Sequence, residues 1–115
     1  MEGLVRANVY LARLDPAKGA ELGKLRPVVV LTDQSILDID PPLVFICPLS
    51  SQSNSQYNSL HVTLKQRESL KVVSYALVEH CRAISRKRIL SERIAQLTPS
   101  EIEMIVHRLT RLIGL

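Results

Sequence analysis

At 115 residues, 46% apolar and 23% charged, the chain is sized for one domain, 1–115, and is too apolar for a disordered segment. Two cysteines cannot build a disulfide framework, no Cys/His pair has zinc-ligand spacing, and four aromatics (three Tyr, one Phe) argue against an aromatic base-stacking platform. The formal net charge of +4 favours a polyanionic partner without naming one.

The opening MEGLVRANVY lacks the charged start and apolar run of a signal peptide, and no segment approaches the roughly 20 apolar residues that span a bilayer. A cytoplasmic location and no membrane partner are expected. Val9–Leu14 mixes β-branched and aromatic residues and stops at the turn dipeptide Asp15-Pro16, so it predicts a strand. A polar stretch with Gly19 and Gly23 follows. Arg26–Thr32 (RPVVVLT) reads as a strand buried on both faces, with Pro27 fitting only at its first position because it donates no ladder hydrogen bond.

Residues 33–42 form a connection with room for one helical turn. A second buried strand is expected at Leu43–Leu49 (LVFICPL), ending in the polar loop Ser51–Ser59. Leu60, Val62 and Leu64 alternate with polar neighbours as in a half-exposed strand. Val72–Ile84 reads as one long strand, or as two separated by a bend near Glu79. Cys47 and Cys81 lie in these apolar runs and read as small buried hydrophobes.

The C-terminal segment changes period. Thr98-Pro99-Ser100-Glu101 is a capping box with Pro at the first helical position. Ile102, Ile105, Val106, Leu109, Leu112 and Ile113 then fall on one helical face, and Gly114 can close it. Five or six strands followed by one amphipathic helix predict a small, mainly β antiparallel barrel with the helix packed on it.

Four segments, in order and spacing, resemble the MazF/PemK toxin family. They are Leu14-Asp15-Pro16 with Gly19-Ala20-Glu21 and Gly23-Lys24-Leu25-Arg26-Pro27; Cys47-Pro48-Leu49-Ser50-Ser51-Gln52; Val78-Glu79-His80-Cys81-Arg82-Ala83-Ile84; and the tail from ISRKRI to the final helix. The resemblance covers nearly the whole chain, and its first block is the specific one. It implies an SH3-like antiparallel β-barrel of the MazF/PemK/CcdB type, a homodimer, and a MazE/PemI-like antitoxin as partner. It also implies cleavage of single-stranded mRNA without a metal or other cofactor, by 2′-hydroxyl attack on the adjacent phosphate.

That reaction needs the 2′-hydroxyl deprotonated, the phosphorane charge stabilised and the leaving oxygen protonated. Arg26 occupies the family's arginine position, and its guanidinium fork suits the second task while being a poor general base at neutral pH. Ser50 matches the family's catalytic Thr or Ser. Glu21 and Glu79 are candidates for holding Arg26 or contacting a base. His80 stands where Gln is commoner and would be a usable acid or base. Lys24, Gln52, Arg82 and Arg86 complete the expected substrate contacts, with Arg82, Arg86, Lys87, Arg88 and Arg93 as a phosphate track or a solvated edge. His61 and His107 have no motif support.

Ala20 and Leu77 replace a His and an Arg found in some family members, and Ala7-Asn8 replaces the usual opening of the first strand. The general acid and base therefore stay unassigned. Two other functions compete: a CcdB-like gyrase poison that cleaves nothing, and a weakened relative that only binds its antitoxin. Base selection is expected to depend on the loops Thr32–Pro42 and Ser51–Ser59.

Overall fold

The computed structural model describes residues 3–16, 18–53 and 56–115, so Ala17 of the first block and Asn54 and Ser55 of the polar loop lie outside the described residues. Among the described residues, seven strands form one curled antiparallel sheet, a half-barrel. They are β1 Asn8–Arg13, β2 Leu25–Val30, β3 Leu43–Ser50, β4 Val62–Leu64, β5 Ser74–Ala76, β6 Arg82–Ser85 and β7 Ala95–Gln96. The path runs β4-β5-β3-β2-β1-β7, and β6 joins the N-terminal half of β3. One short helix, α1 (Gln34–Leu37), bridges β2 and β3, and α2 (Pro99–Leu112) ends the fold.

The middle stretches of the central strands are continuous apolar runs because both faces of the sheet are covered there. Val9, Val29, Cys47 and Leu49 point into a core shared with Val62, Leu64, Val78, Ile102 and Ile105. Their chain neighbours Tyr10, Val28, Val30, Val44 and Ile46 enter a second core with Leu14, Leu37, Ile84 and Ile89. Period-2 alternation sends successive side chains to opposite faces, so a continuous Val/Ile/Leu run is what two cores require. Helix α2 covers the first core, contacting β4 and the turns at 58–60 and 78–80.

Two prolines decide where pairing stops. Leu31 N donates to Phe45 O, so odd-numbered residues of β2 direct their amides toward β3. Pro27 shares that parity but has no N–H, and the β2–β3 ladder ends beside it, at Val28↔Pro48. The other side of Pro27, opposite Leu11, needs no amide from it. The strand therefore begins at Leu25, one residue before the expected Arg26 and two before the proline, and ends at Val30 rather than Thr32. Pro48 in turn sits between the end of β6 pairing at Ile46↔Arg82 and the start of β5 pairing at Leu49↔Ala76.

The 72–84 segment takes its two-strand form. β5 and β6 are separated by a 3-10 turn at Val78–His80. The strand expected at 60–65 is shorter, because Asn58–Leu60 forms a second 3-10 turn and β4 covers only Val62–Leu64.

The C-terminal helix matches its signals. Thr98 Oγ1 accepts from the Glu101 amide while the Glu101 carboxylate accepts from the Thr98 amide at 2.8 Å. Gly114 has φ 85°, which permits Gly114 N to bond Arg111 O and Leu115 N to bond Thr110 O, a Schellman closure.

Candidate active site

The early end of the β2–β3 ladder opens a groove. Arg26 lies two residues before Val28 and Ser50 two residues after Pro48, so the two stand side by side where the strands part. They line one groove of about 290 Å³ with Lys24, Pro27, Leu49, Ser51, Leu70, Val72 and Ser74. Each residue is held by its outer neighbour: Arg26 pairs with Ala12 of β1, and Ser50 with Tyr75 of β5.

Arg26 Nε donates to Gly23 O at 3.1 Å, which fixes the guanidinium plane. Its terminal nitrogens have no carboxylate in ion-pair range among the described residues. Ser50 Oγ accepts from the Gln52 amide at 3.1 Å, leaving its hydrogen available to donate. Lys24 adopts the left-handed φ of 67° just before the strand. Its amide donates to Asp15 Oδ1 at 2.7 Å and its carbonyl accepts from Leu14, closing the 14–24 loop. An arginine fork, an orientable hydroxyl and a lysine on one rim can bind two phosphate oxygens and hydrogen-bond a third.

A second cavity of about 150 Å³ collects Glu21, Glu79, His80 and Arg82 with Leu14, Leu22, Pro48 and Cys81. Neither carboxylate anchors Arg26, contrary to one of the two roles expected for them. Glu21 accepts from the Lys18 amide at 2.8 Å, and Glu79 is bound by His61. His80 Nε2 lies 4.0 Å from the Glu79 carboxylate. Burial, then the hydrogen bond with Cys81, pushes the Cys47 thiol well up, so it stays protonated at neutral pH, as a packing residue should.

Arg86 stands apart from both cavities. It pairs with Asp40 and its amide bonds Pro42 O, near the N-terminal end of β3. Arg88 is spent on the Arg13 and Asp15 carbonyls, and Arg93 pairs with Glu68 at 2.8 Å. The basic track is thus largely engaged within the chain, with Lys87 exposed. Residues 32–42 lie at the other end of the β2–β3 hairpin, about 20 Å of strand from Arg26. Within one chain they do not border the groove, unlike Ser51. Ala20 is exposed and Leu77 buried, so neither supplies chemistry. Among the described residues no three His, Cys, Asp or Glu side chains are grouped to hold a metal ion.

His61 and Ser53 were missed by sequence reasoning. His61 is buried, with Ser53 on one ring nitrogen and Glu79 on the other. No local spacing signals a contact among residues 53, 61 and 79.

Fold and groove together define a class: a small half-barrel protein presenting an arginine and a hydroxyl side by side beside a lysine, suited to gripping a phosphodiester. The chain belongs to the family described as PemK-like, MazF-like toxin of type II toxin-antitoxin system, which matches residues 5–113. Solved structures of similar fold include MazF (Form-I) from Deinococcus radiodurans, 23% identical, covering 100% of each chain with a TM-score of 0.82. MazE-MazF (Form-II) from the same organism is 22% identical, covers 100% of this chain and 99% of that one, and has a TM-score of 0.76. An endoribonuclease in complex with its cognate antitoxin, from Mycobacterial species, is 14% identical over 100% and 97%, with a TM-score of 0.73.

Proposed function

We propose that this toxin is a sequence-selective endoribonuclease that cuts single-stranded mRNA without a metal. The scissile phosphate binds in the groove between Arg26 and Ser50. The guanidinium nitrogens left free by the Gly23 contact grip two non-bridging oxygens and stabilise the charge that builds on the phosphorane. The 2′-oxygen bonds to phosphorus, its proton leaves to a base, the bond to the 5′-oxygen breaks, and that oxygen takes a proton. The products are a 2′,3′-cyclic phosphate and a 5′-hydroxyl.

The Ser50 hydroxyl donates to a phosphoryl oxygen. Lys24 and Gln52 contact the flanking backbone. Glu21, His80 and Arg82 line the adjoining cavity, where a neighbouring base would sit, and Arg86 is too far away within one chain to join them. Family membership supports further readings: a cytoplasmic homodimer and inhibition by a MazE/PemI-like antitoxin. The observation that carries the proposal is the uncommitted Arg26 fork beside Ser50 at the mouth of the broken ladder.

The test is incubation of the purified protein with long single-stranded RNA in EDTA, followed by mapping of fragment ends. Cuts at a recurring short motif that leave 5′-hydroxyl ends are expected. Intact RNA from folded, antitoxin-free protein would sink the nuclease and turn attention to a gyrase-poison or antitoxin-binding role.

A further inference from the structure

His61 is 6% exposed, and the proposed chemistry does not use it. Its Nδ1 lies 2.6 Å from Ser53 Oγ, while Nε2 meets both Glu79 oxygens at 2.8 and 2.9 Å. Its carbonyl accepts from Arg108 of α2. One imidazole therefore joins the segment after β3 to the 78–80 turn, while the helix holds its backbone. Polar partners on both ring nitrogens satisfy a desolvated histidine completely. With Nε2–H given to Glu79, Nδ1 either accepts from the Ser53 hydroxyl or donates to its oxygen. The link persists in both protonation states.

Ser53 is three residues from Ser50, and the residue between Ser51 and Ser53 supplies the Ser50 contact: Gln52 N donates to Ser50 Oγ. The direction of the Ser50 hydroxyl thus depends on where the 51–53 backbone runs, and Ser53 ties that backbone to the buried pair. We infer that His61 and Glu79, acting through Ser53, are positioning residues that hold the Gln52 amide on Ser50 Oγ and so aim the Ser50 hydroxyl into the groove. This rests on the ribonuclease reading and assigns Glu79 to the scaffold of the site rather than to RNA contact. Buried as it is, His61 cannot meet RNA itself, which separates positioning from acid–base work.

Ser53→Ala cuts the link, along with the longer 3.3 Å bond from Ser53 Oγ to Asn58 Oδ1, and leaves the His61–Glu79 pair intact, while Ser53→Thr keeps the hydroxyl. Two readouts apply: initial rates on long single-stranded RNA against RNA concentration, and amide exchange at Gln52 by NMR on the protein alone. Ser53→Ala is expected to lower kcat about tenfold with KM changed by less than roughly twofold. Gln52 exchange should quicken about tenfold at an almost unchanged thermal midpoint. Ser53→Thr should return both toward wild type. His61→Gln should give the same losses, and the Ser53→Ala/His61→Gln double variant no more than either alone. If His61→Gln does not fold, the Ser53 pair decides.

Unchanged kcat and unchanged Gln52 exchange in Ser53→Ala would overturn the inference. A raised KM at constant kcat would also overturn it, making Ser53 a direct RNA contact. If the wild-type protein leaves RNA intact, the nuclease reading fails on its own, and Gln52 exchange still decides whether Ser53 fixes the segment.

Discussion

Arg26 owes its availability to what surrounds it. Gly23 offers a carbonyl that orients Nε, and the carboxylates that could neutralise the fork are engaged elsewhere, Glu21 by Lys18 and Glu79 by His61. A cation held in plane without a counter-ion is pre-organised for an anionic transition state. Arg26→Ala should lower kcat/KM on single-stranded RNA by about 10²–10³-fold. Its thermal midpoint should stay within a few degrees of wild type, since the side chain is half-exposed and packs in neither core. Arg26→Lys should restore little of the rate, because an ammonium cannot bind two oxygens as a planar fork does. Near-normal cleavage by Arg26→Ala would remove the residue from the mechanism. Arg26 and Ser50 were legible as candidates because the motif fixes them along the chain. Ser53, His61 and Glu79 were not legible as a set, since their contact exists only after β4 and the 78–80 turn have been brought together.

Helix α2 is the element the sequence announces best: its cap, first-turn proline, apolar stripe and closing glycine all lie within 17 residues of one another. What the sequence did not announce is the tie from its first turn to the 67–70 turn that follows β4. Arg67 Nη1 and Nη2 bond the two Glu101 oxygens at 2.6 and 2.7 Å. That contact, helped by the Thr98 amide, holds the Glu101 carboxyl below its ordinary 4.5. A depressed folded-state pKa means stability that is fully present at neutral pH and drains away as pH falls through the folded value. Glu101→Gln should therefore be less stable than wild type at pH 7, by about 1 kcal/mol. The two thermal midpoints should converge below pH 4. A constant gap down to pH 3 would show that the charge contributes nothing. The strands were harder to delimit than the helix. Continuous apolar runs show that β2 and β3 are doubly buried but not where they stop, and the stop at Val28↔Pro48 came from an amide that Pro27 lacks.

At the scale of the molecule, one sheet with a core on each face explains why so many residues of β1, β2 and β3 are fully buried in a chain of 115 residues. The class of fold was legible because strands at short intervals followed by one amphipathic helix leave few alternatives. The curl that leaves the sheet a half-barrel, and the placing of β6 beside β3, depend on pairings between distant segments that no local pattern encodes.

The placement of Arg26 and Ser50 on the two innermost strands bears on how the protein fails under stress. Many enzymes lose activity in dilute denaturant before they unfold, because their sites hang on weakly held lobes. Here each residue is laced to its outer neighbour, Ala12 or Tyr75, and both strands run through the two cores. In a urea titration, RNA cleavage and far-ultraviolet circular dichroism should thus fall with one midpoint. An activity curve displaced well below the circular-dichroism curve would mean that the groove melts separately. If the curves coincide, no inactive but folded toxin accumulates on the way to denaturation, and whatever survives stress in native form survives armed.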